Sequence, residues 1–198
     1  MSLNVDIAPD VIRRLTREAF GSPQLMQAIC LNLCFELGTR ETRPAHERVS
    51  VDDAIIMRAL ERTSTQTDFS SMTSVLQAGP RQRGMERKEF VFADGSKGDV
   101  YRCLLLAMKA DPPRLSFPYS EMLVRTANIC VGDSPVGSSV STSLRLMDQL
   151  AKTVQEAPVI EWDEDVLDIV EPYFLFFLRS STYLQLRFNF DEAGGEAD

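Results

Sequence analysis

Residues 132–139 carry the spacing in this chain that comes closest to a nucleotide-binding motif. They read Gly-Asp-Ser-Pro-Val-Gly-Ser-Ser, and a phosphate-binding loop has two glycines at this separation followed by lysine and then serine or threonine. Ser138 stands where that lysine would be, and the segment follows a predicted helix ending near Cys130 rather than a strand. We therefore predict no ATP binding here, although Ser138 and Ser139 at a helix start can donate backbone N–H groups to a DNA phosphate.

The cysteines and the single histidine do not form a recognisable catalytic or metal-binding motif. Cys30 and Cys34 are one helical turn apart, while Cys103 and Cys130 lie in separate apolar segments. Zinc takes four ligands, and His46 lies in a polar segment without a nucleophile and an orienting group around it. We predict free, buried thiols in a reducing compartment, with no catalytic residue, bound metal or cofactor in this chain.

A further set of polar side chains suits contact with nucleic acid or with a partner protein. A basic connector contains Arg81, Arg83, Arg87 and Lys88, and the outer side of a predicted long helix carries Ser138, Ser139, Thr142, Arg145, Gln149 and Lys152. Such side chains can contact bases and phosphates. Alternating charge at helical spacing, typical of pairing along a solvated helix, is shared by Arg145, Asp148, Lys152 and Glu156.

The charge of the chain disfavours binding to nucleic acid through bulk electrostatics. The 198 residues carry 21 Lys+Arg against 29 Asp+Glu, a net charge of −8, so binding to phosphates would need a local basic face. With 44% apolar residues the chain can bury a sizeable core. No apolar run approaches the roughly 18 residues of a membrane span, and no secretory signal begins the chain, so we predict a cytoplasmic protein without membrane contact.

The pattern of residues 1–63 predicts a bundle of helices, which would contain Cys30 and Cys34. Pro9 begins a helix whose apolar residues are Val11, Ile12, Leu15 and Ala19. Gly21 can take the left-handed conformation that ends this helix, Ser22 can cap the next one, and Pro23 suits its first turn. The second helix buries a seam formed by Leu25, Ile29, Leu33 and Leu37, and Gly38 ends it.

A third helix and a connector follow a polar loop at residues 39–48. Ser50 is predicted to cap the third helix, supported by Asp52 and Asp53 in its first turn, and its inward residues are Ile55, Ile56 and Leu60. A short helix over residues 68–77 ends at Gly79. Residues 64–88 therefore form a helical and basic connector to the second half.

Residues 89–190 predict a winged helix-turn-helix domain. A short strand at residues 90–92 and a turn at 94–95 precede a helix over 100–110, and Pro118 begins another helix whose inward residues are Met122, Leu123, Ala127 and Cys130. Ser138 or Ser139 is predicted to cap a long helix that buries Val140, Leu144, Met147, Ala151 and Val154. Two strands, at 159–162 and 166–170, then surround the acidic turn at 163–165, and this order is that of a winged helix-turn-helix domain.

Three further features complete the second half. Trp162 lies in a predicted strand between apolar residues, which favours a place in the core over stacking on a partner. The segment 173–179 is apolar on all sides, so we predict a buried helix. Residues 191–198 are acidic and contain two glycines, which predicts a disordered tail. The predicted fold class is thus mainly α: a helical bundle followed by a winged helix with a small antiparallel hairpin.

Two groups of residues resemble the C-terminal lid and winged helix of bacterial ATP-binding proteins of the AAA+/STAND class. The first is residues 21–27 in the helical bundle. The second is the succession 94–95, 98–101, 134–140, 160–162 and 171–176. The similarity extends from about Ile7 to Arg179. It implies that residues 1–63 are the lid, and that an ATPase core, which would hold ATP and Mg²⁺, precedes Met1 in the natural protein.

The resemblance implies a non-catalytic regulatory region that couples an upstream nucleotide-binding core to a partner protein. Such lids often carry an arginine that senses the nucleotide, but the residues after Gly21 are serine, proline and glutamine. Arg13, Arg14 and Arg17 are the arginines that could take its place.

Two other functions remain open, a winged-helix DNA-binding regulator and a protein-interaction adaptor. In a DNA reader the third helix enters the major groove and the wing supports it on the backbone. Here the wing carries Asp163, Glu164 and Asp165, which would repel phosphates, and the compensating basic residues lie in the connector. Duplex DNA binding therefore requires the connector to fold beside the third helix. Docking on an ATPase core or a partner protein fits the acidic wing better.

Overall fold

The computed structural model describes residues 4–81, 86–155 and 157–186, and within them the chain is mainly α-helical with small sheets of two or three strands. The first half contains, in chain order, β1 (Val5–Asp6), α1 (Pro9–Glu18), α2 (Pro23–Glu36), β2 (Glu47–Arg48), α3 (Asp53–Ser64) and α4 (Ser70–Ala78). The second half contains β3 (Phe90–Val91), β4 (Lys97–Gly98), α5 (Val100–Lys109), β5 (Ser116–Pro118), α6 (Tyr119–Ile129), α7 (Gly137–Val154), β6 (Ile160–Asp163), β7 (Val166–Ile169), α8 (Pro172–Ser180) and α9 (Tyr183–Leu186).

Some sequence predictions lie outside the described residues. These are Arg83 in the connector, Glu156 in the charge ladder, residues 187–190 at the end of the predicted second domain and the acidic tail at 191–198.

The corner between α1 and α2 confirms the predicted helix stop and start. Gly21 has a φ of 76° and Phe20 a φ of 50°, a conformation that favours glycine because it has no Cβ. The Ser22 hydroxyl then accepts a hydrogen bond of 3.3 Å from the Leu25 N–H, and Pro23 occupies the first turn of α2. Behind this corner Leu25, Ile29 and Leu33 are fully buried.

Two predictions in the first three helices are wrong. α3 is capped by Asp52 rather than Ser50, since the Asp52 carboxylate accepts a hydrogen bond of 2.8 Å from the Ile55 N–H, the third residue along. Ile12 is 44% exposed although it was predicted to face inward. The buried apolar residues of α1, Val11 and Leu15, are four positions apart, and Ile12 lies to one side of the line that joins them.

The predicted polar loop at residues 39–48 ends in a strand. β2 pairs in parallel with β1 near the N-terminus, with Val5 opposite Glu47 and Asp6 opposite Arg48. Neither strand has alternating apolar residues, so the sequence does not indicate this pairing.

The second half is organised around a three-stranded antiparallel sheet. β6 and β7 form the predicted hairpin, and β5 pairs with the other edge of β7, giving the order β5-β7-β6. The third strand was not predicted. The hairpin turn has positive φ values at Glu164 (45°) and Asp165 (62°), which fits the tight two-residue turns that follow the twist of antiparallel strands.

The long helix α7 confirms four of the five residues of its predicted seam but not its predicted start. Val140, Leu144, Met147 and Ala151 are fully buried, whereas Val154, the last helical residue, is 41% exposed. The helix begins at Gly137 with Val136 as its cap residue and without a side-chain capping bond. Ser138 and Ser139 therefore lie in the first turn and do not cap it. A Cβ at Gly137 would lie 2.4 Å from the Tyr119 hydroxyl, so glycine allows α6 to approach here.

The buried face of α6 also differs from the prediction. Met122 is buried as predicted, but Ala127 is exposed. Arg125 and Thr126 are buried in its place, so the inward positions follow the spacing 122, 125, 126. The buried Arg125 is hydrogen-bonded to Glu121 and to the carbonyls of Ala110 and Pro112.

The core consists of two clusters that meet at α8, which confirms the predicted buried helix at 173–179. Phe176 packs against the cluster formed by α1, α2 and α3. Its neighbours Phe174, Leu175, Phe177 and Leu178 belong to the larger cluster of the second half. Because successive residues of one helix fill both clusters, the bundle and the second half share a continuous core through α8.

Candidate interaction cleft between the connector and the long helix

A cleft of about 610 Å³ separates the connector from the first half of α7. Three segments form its walls: the connector at residues 86–88, the start of α5, and residues 134–146, which lead into and along α7. The predicted contact residues that line it are Arg87, Lys88, Ser138, Ser139 and Thr142. The structure therefore brings the connector beside the long helix, as DNA binding would require.

Arg87 is held by the protein itself. Its guanidinium donates hydrogen bonds to the Ala78 carbonyl (2.6 Å), to the Asp99 carboxylate (2.7 Å) and to the Pro80 carbonyl. The guanidinium also lies 4.6 Å from the centroid of the Tyr101 ring, a favourable cation–π position. Arg87 thus fastens the connector to the end of α4 and the start of α5.

Asp99 links Arg87 to the helix that it holds. The other Asp99 oxygen accepts hydrogen bonds from the N–H groups of Tyr101 (3.0 Å) and Arg102 (3.2 Å), which caps α5. Burial raises the pKa of Tyr101 and outweighs the hydrogen bond of Ser143 and the charge of Arg87, which both act to lower it. The inner wall of the cleft is therefore a network that includes α5 and α7.

Lys88 bridges the outer part of the cleft. Its ammonium lies 2.9 Å from the Asp133 carboxylate and 5.4 Å from the centroid of the Phe90 ring. The hydrogen bond and charge of Lys88 lower the pKa of Asp133. Both side chains are mostly exposed, at 63% and 83%, so this pair contributes little stability and can exchange for contact with a ligand.

The remaining predicted contacts on α7 lie beyond the cleft. Arg145, Gln149 and Lys152 are exposed but do not line it. Lys152 donates a hydrogen bond of 3.0 Å to the Asp148 carboxylate, and this hydrogen bond, with the charges of Asp148, Glu161 and Asp163, raises the pKa of Lys152. The predicted ladder is therefore confirmed for Asp148 and Lys152, and the lysine is already paired.

The β6–β7 hairpin places a row of carboxylates beside this part of α7. Glu161, Asp163, Glu164, Asp165 and Asp168 are all exposed. Trp162 between them is half-buried, packs against the core and meets the Tyr119 ring edge-on at 6.3 Å, as its predicted core role requires. The exposed surface of the hairpin is consequently negative.

The other predicted site residues do not join the cleft. Arg13 and Arg17 are exposed on α1, and Arg14 pairs with Asp53 of α3 at 2.5 Å. Arg81 is exposed at the end of its described segment. Tyr101, which lines the cleft, and Asp133, which pairs with Lys88 beside it, were not predicted as site residues. Tyr101 lies in an apolar helix that gives no sign of a contact role, and the available signal for Asp133 was its position shortly before a long helix.

All four cysteines are free thiols, with Cys103 buried and Cys30, Cys34 and Cys130 half-buried. Across the described ranges, no group of three or more His, Cys, Asp or Glu side chains is arranged to hold a metal ion. In the same ranges no helix combines the length and apolar character needed to cross a bilayer.

Comparisons with known proteins do not place this chain in a family. No protein-family model, curated protein or solved structure matched it.

Proposed function

We propose that this chain is the non-catalytic regulatory and interaction region of an AAA+/STAND-type ATP-binding protein. In this proposal α1 to α3 are the lid, and the segment from α5 to β7 is a winged-helix domain that docks a protein partner. ATP and Mg²⁺ would be held by a nucleotide-binding core upstream of the lid, and the region would operate in the cytoplasm.

The order of elements in the second half is the observation that carries the proposal. α5, β5, α6, α7, β6 and β7 follow one another as in a winged helix-turn-helix domain. α7 would be the third helix and the β6–β7 hairpin the wing. β5 joins the hairpin in one sheet, so the hairpin is anchored to the helices instead of projecting alone.

The charges around α7 favour a protein partner over duplex DNA. Binding to DNA depends on cations that neutralise phosphates, and the wing presents five exposed carboxylates. Of the basic residues nearby, Arg87 is committed to Asp99 and to backbone carbonyls, and Lys152 to Asp148. A basic surface of a partner protein fits the wing better than a phosphate backbone does.

The connection between the two halves supports a coupling role. α8 contributes to both core clusters, and its Arg179 forms a bidentate pair with Glu18 of α1. A displacement of the lid would therefore move the winged helix with it. Since Arg14 is paired with Asp53, we propose that the lid responds to its core through contact instead of through a nucleotide-sensing arginine.

The gene that encodes this chain tests the proposal directly. We expect an in-frame phosphate-binding loop upstream of the lid, and ATP hydrolysis by the full-length product that changes when Asp163, Glu164 and Asp165 are all replaced by lysine. Asn128→Ala, exposed on α6 and part of neither the cleft nor the wing, is the control and should leave the rate unchanged. A reading frame without an upstream nucleotide-binding core would overturn the proposal.

A winged-helix DNA-binding module is the second candidate, favoured by one observation. Ser138, Thr142, Arg145 and Gln149 are exposed along α7, and such side chains can contact base edges and phosphates. A third helix that presents them to solvent could enter a major groove.

A DNA titration separates the two candidates. We expect no saturable binding of a labelled duplex in fluorescence anisotropy, either at low or at physiological salt, because the wing repels phosphates. Replacing Asp163, Glu164 and Asp165 by lysine should create binding that weakens with salt. Binding by the unmodified chain that falls with salt and is lost in Arg145→Glu would favour the DNA-binding candidate. Arg145 is a better position for this test than Arg87, because replacing Arg87 would also remove the hydrogen bonds that hold the connector in place.

A further inference from the structure

The thiols of Cys103 and Cys130 lie next to each other across two helices. Their sulfur atoms are 3.6 Å apart, one on α5 and the other directly after the last residue of α6. Cys103 is fully buried and Cys130 half-buried. We infer that this pair is an oxidative modification site, at which a hydroperoxide converts the two thiols into a disulfide that cross-links the walls of the cleft.

The geometry permits the bond with a small movement. A disulfide needs a sulfur–sulfur distance of about 2.05 Å, so the atoms must approach by about 1.5 Å. Cys130 has extended backbone angles and lies directly after α6. The segment around it is held by hydrogen bonds of 2.8 Å from Ala93 N–H to the Ile129 carbonyl and from Val131 N–H to the Val91 carbonyl. The two thiols are thus presented to each other in a fixed frame.

The difference in exposure sets the order of the two steps. Cys103 has no exposed surface, so the peroxide meets Cys130 first. The Cys130 thiol gives up its proton to water, its thiolate attacks one peroxide oxygen, an S–O bond forms and the O–O bond breaks. The hydroxide released takes up a proton in place of the one given up and becomes water. The Cys103 thiol then loses its proton and attacks the Cys130 sulfur, the S–S bond forms, and the S–O bond breaks with release of water. The two thiols lose two electrons and hydrogen peroxide is reduced to two molecules of water.

The same surroundings keep the reaction slow. Burial raises the pKa of both thiols, so little thiolate is present at neutral pH and the pair stays reduced without an oxidant. Such a site responds to sustained exposure to peroxide and not to brief pulses.

The bond would join two walls of the cleft. Val100 and Tyr101, which line it, precede Cys103 by less than one helical turn, and Ser134 and Val136 follow Cys130 by a few residues. A disulfide between Cys103 and Cys130 therefore fixes the start of α5 against the segment that leads into α7. Oxidation would therefore fix the width of the cleft.

Peptide mapping of the full chain tests this inference. The reduced protein is treated with hydrogen peroxide, the remaining thiols are alkylated, and the chain is digested with trypsin without reductant. We expect peptide 103–109 joined to peptide 126–145, lighter by two hydrogen atoms than their sum, while Cys30 and Cys34 are alkylated in peptide 18–40. The Cys30→Ser/Cys34→Ser variant is the matched control and should form the same cross-link.

Single substitutions identify the attacking sulfur. Cys103→Ser should leave a sulfenic acid on Cys130 that reacts with dimedone, and Cys130→Ser should leave Cys103 reduced. Circular dichroism of each variant confirms that it has folded, and Cys103→Ala serves where serine is not tolerated in the core. Alkylation of all four cysteines after oxidation, or a cross-link that involves Cys30 or Cys34 instead, would overturn the inference.

Discussion

The Arg179→Met variant is expected to lose about 3 to 5 kcal/mol of unfolding free energy, as a buried ion pair does when one partner is removed. Arg179 of α8 donates to both oxygens of Glu18 at 2.8 and 2.7 Å, to Asp111 at 3.0 Å and to the Lys109 carbonyl. The side chains of Arg179 and Glu18 are only 12% exposed. Burial acts to lower the pKa of Arg179, but the hydrogen bonds and charges of Glu18 and Asp111 outweigh it and raise the pKa.

The loss arises because Glu18 remains buried without its partner. A methionine keeps the apolar stem of Arg179 in place and removes only the guanidinium, so the packing around α8 is preserved. The Glu18 carboxylate must then remain desolvated or pull α1 away from α8. We therefore expect both a lower unfolding midpoint in urea and faster hydrogen exchange in α1.

Two variants decide whether the pair is responsible. The double variant Glu18→Met/Arg179→Met removes both charges and should recover most of the lost stability, because two apolar side chains of similar volume can replace a buried pair. Arg58→Met is the matched control: Arg58 pairs with Glu36 at 2.9 Å but is 54% exposed, so its loss should stay below about 1 kcal/mol. Equal losses for Arg58→Met and Arg179→Met would contradict the prediction.

The parts of the fold that could be predicted from the sequence are those set by local backbone chemistry. The Gly21–Ser22–Pro23 corner is confirmed, since a left-handed glycine, a capping hydroxyl and a proline act within a few residues of one another. Four residues of the α7 seam and the buried α8 are confirmed for the same reason, because helical periodicity is a local property.

The features that were missed depend on distant partners. The pairing of β1 with β2 and of β5 with β7 joins short segments without a strand pattern. Ser138 and Ser139 were expected to cap α7, but the helix begins at Gly137, where the Tyr119 side chain of α6 lies close to the backbone. The sequence cannot show how another helix packs at that point.

The candidate site was predicted in composition but not in arrangement. Five of its basic and hydroxyl residues were predicted as contacts, yet nothing in the sequence indicated that the Arg87 guanidinium would be bound by Asp99 and by backbone carbonyls. A basic residue in a connector has the same appearance whether it faces a ligand or the protein. Only its hydrogen-bond partners distinguish the two cases.

The Arg125→Met variant is also expected to lose about 3 to 5 kcal/mol of unfolding free energy. Arg125 of α6 donates to Glu121 at 2.9 Å and to the carbonyls of Ala110 at 2.8 Å and Pro112 at 2.6 Å. Its guanidinium also lies 4.7 Å from the centroid of the buried Phe117 ring. The side chain is 7% exposed, so methionine leaves these acceptors without donors inside the protein.

The carbonyls that Arg125 binds lie at the end of the first helix of the proposed winged helix. Ala110 ends α5, and the carbonyls at a helix C-terminus have no partner within the helix. Arg125 satisfies them and at the same time stacks on β5, so one side chain holds the first helix, the second helix and the edge strand together. Urea denaturation followed by circular dichroism should show the loss as a lower midpoint with an unchanged slope.

Two further variants distinguish the contribution of the guanidinium hydrogen bonds from that of the positive charge. Arg125→Lys keeps the charge but cannot donate in several fixed directions, so it should recover only part of the stability. Arg145→Met, on the exposed face of α7, should change the unfolding free energy by no more than about 0.5 kcal/mol. If Arg125→Lys were as stable as the unmodified chain, charge alone would suffice and the proposed role of the forked hydrogen bonds would be wrong. The expected order is therefore unmodified chain and Arg145→Met together, then Arg125→Lys, then Arg125→Met, because each substitution at Arg125 removes donors from partly buried carbonyls.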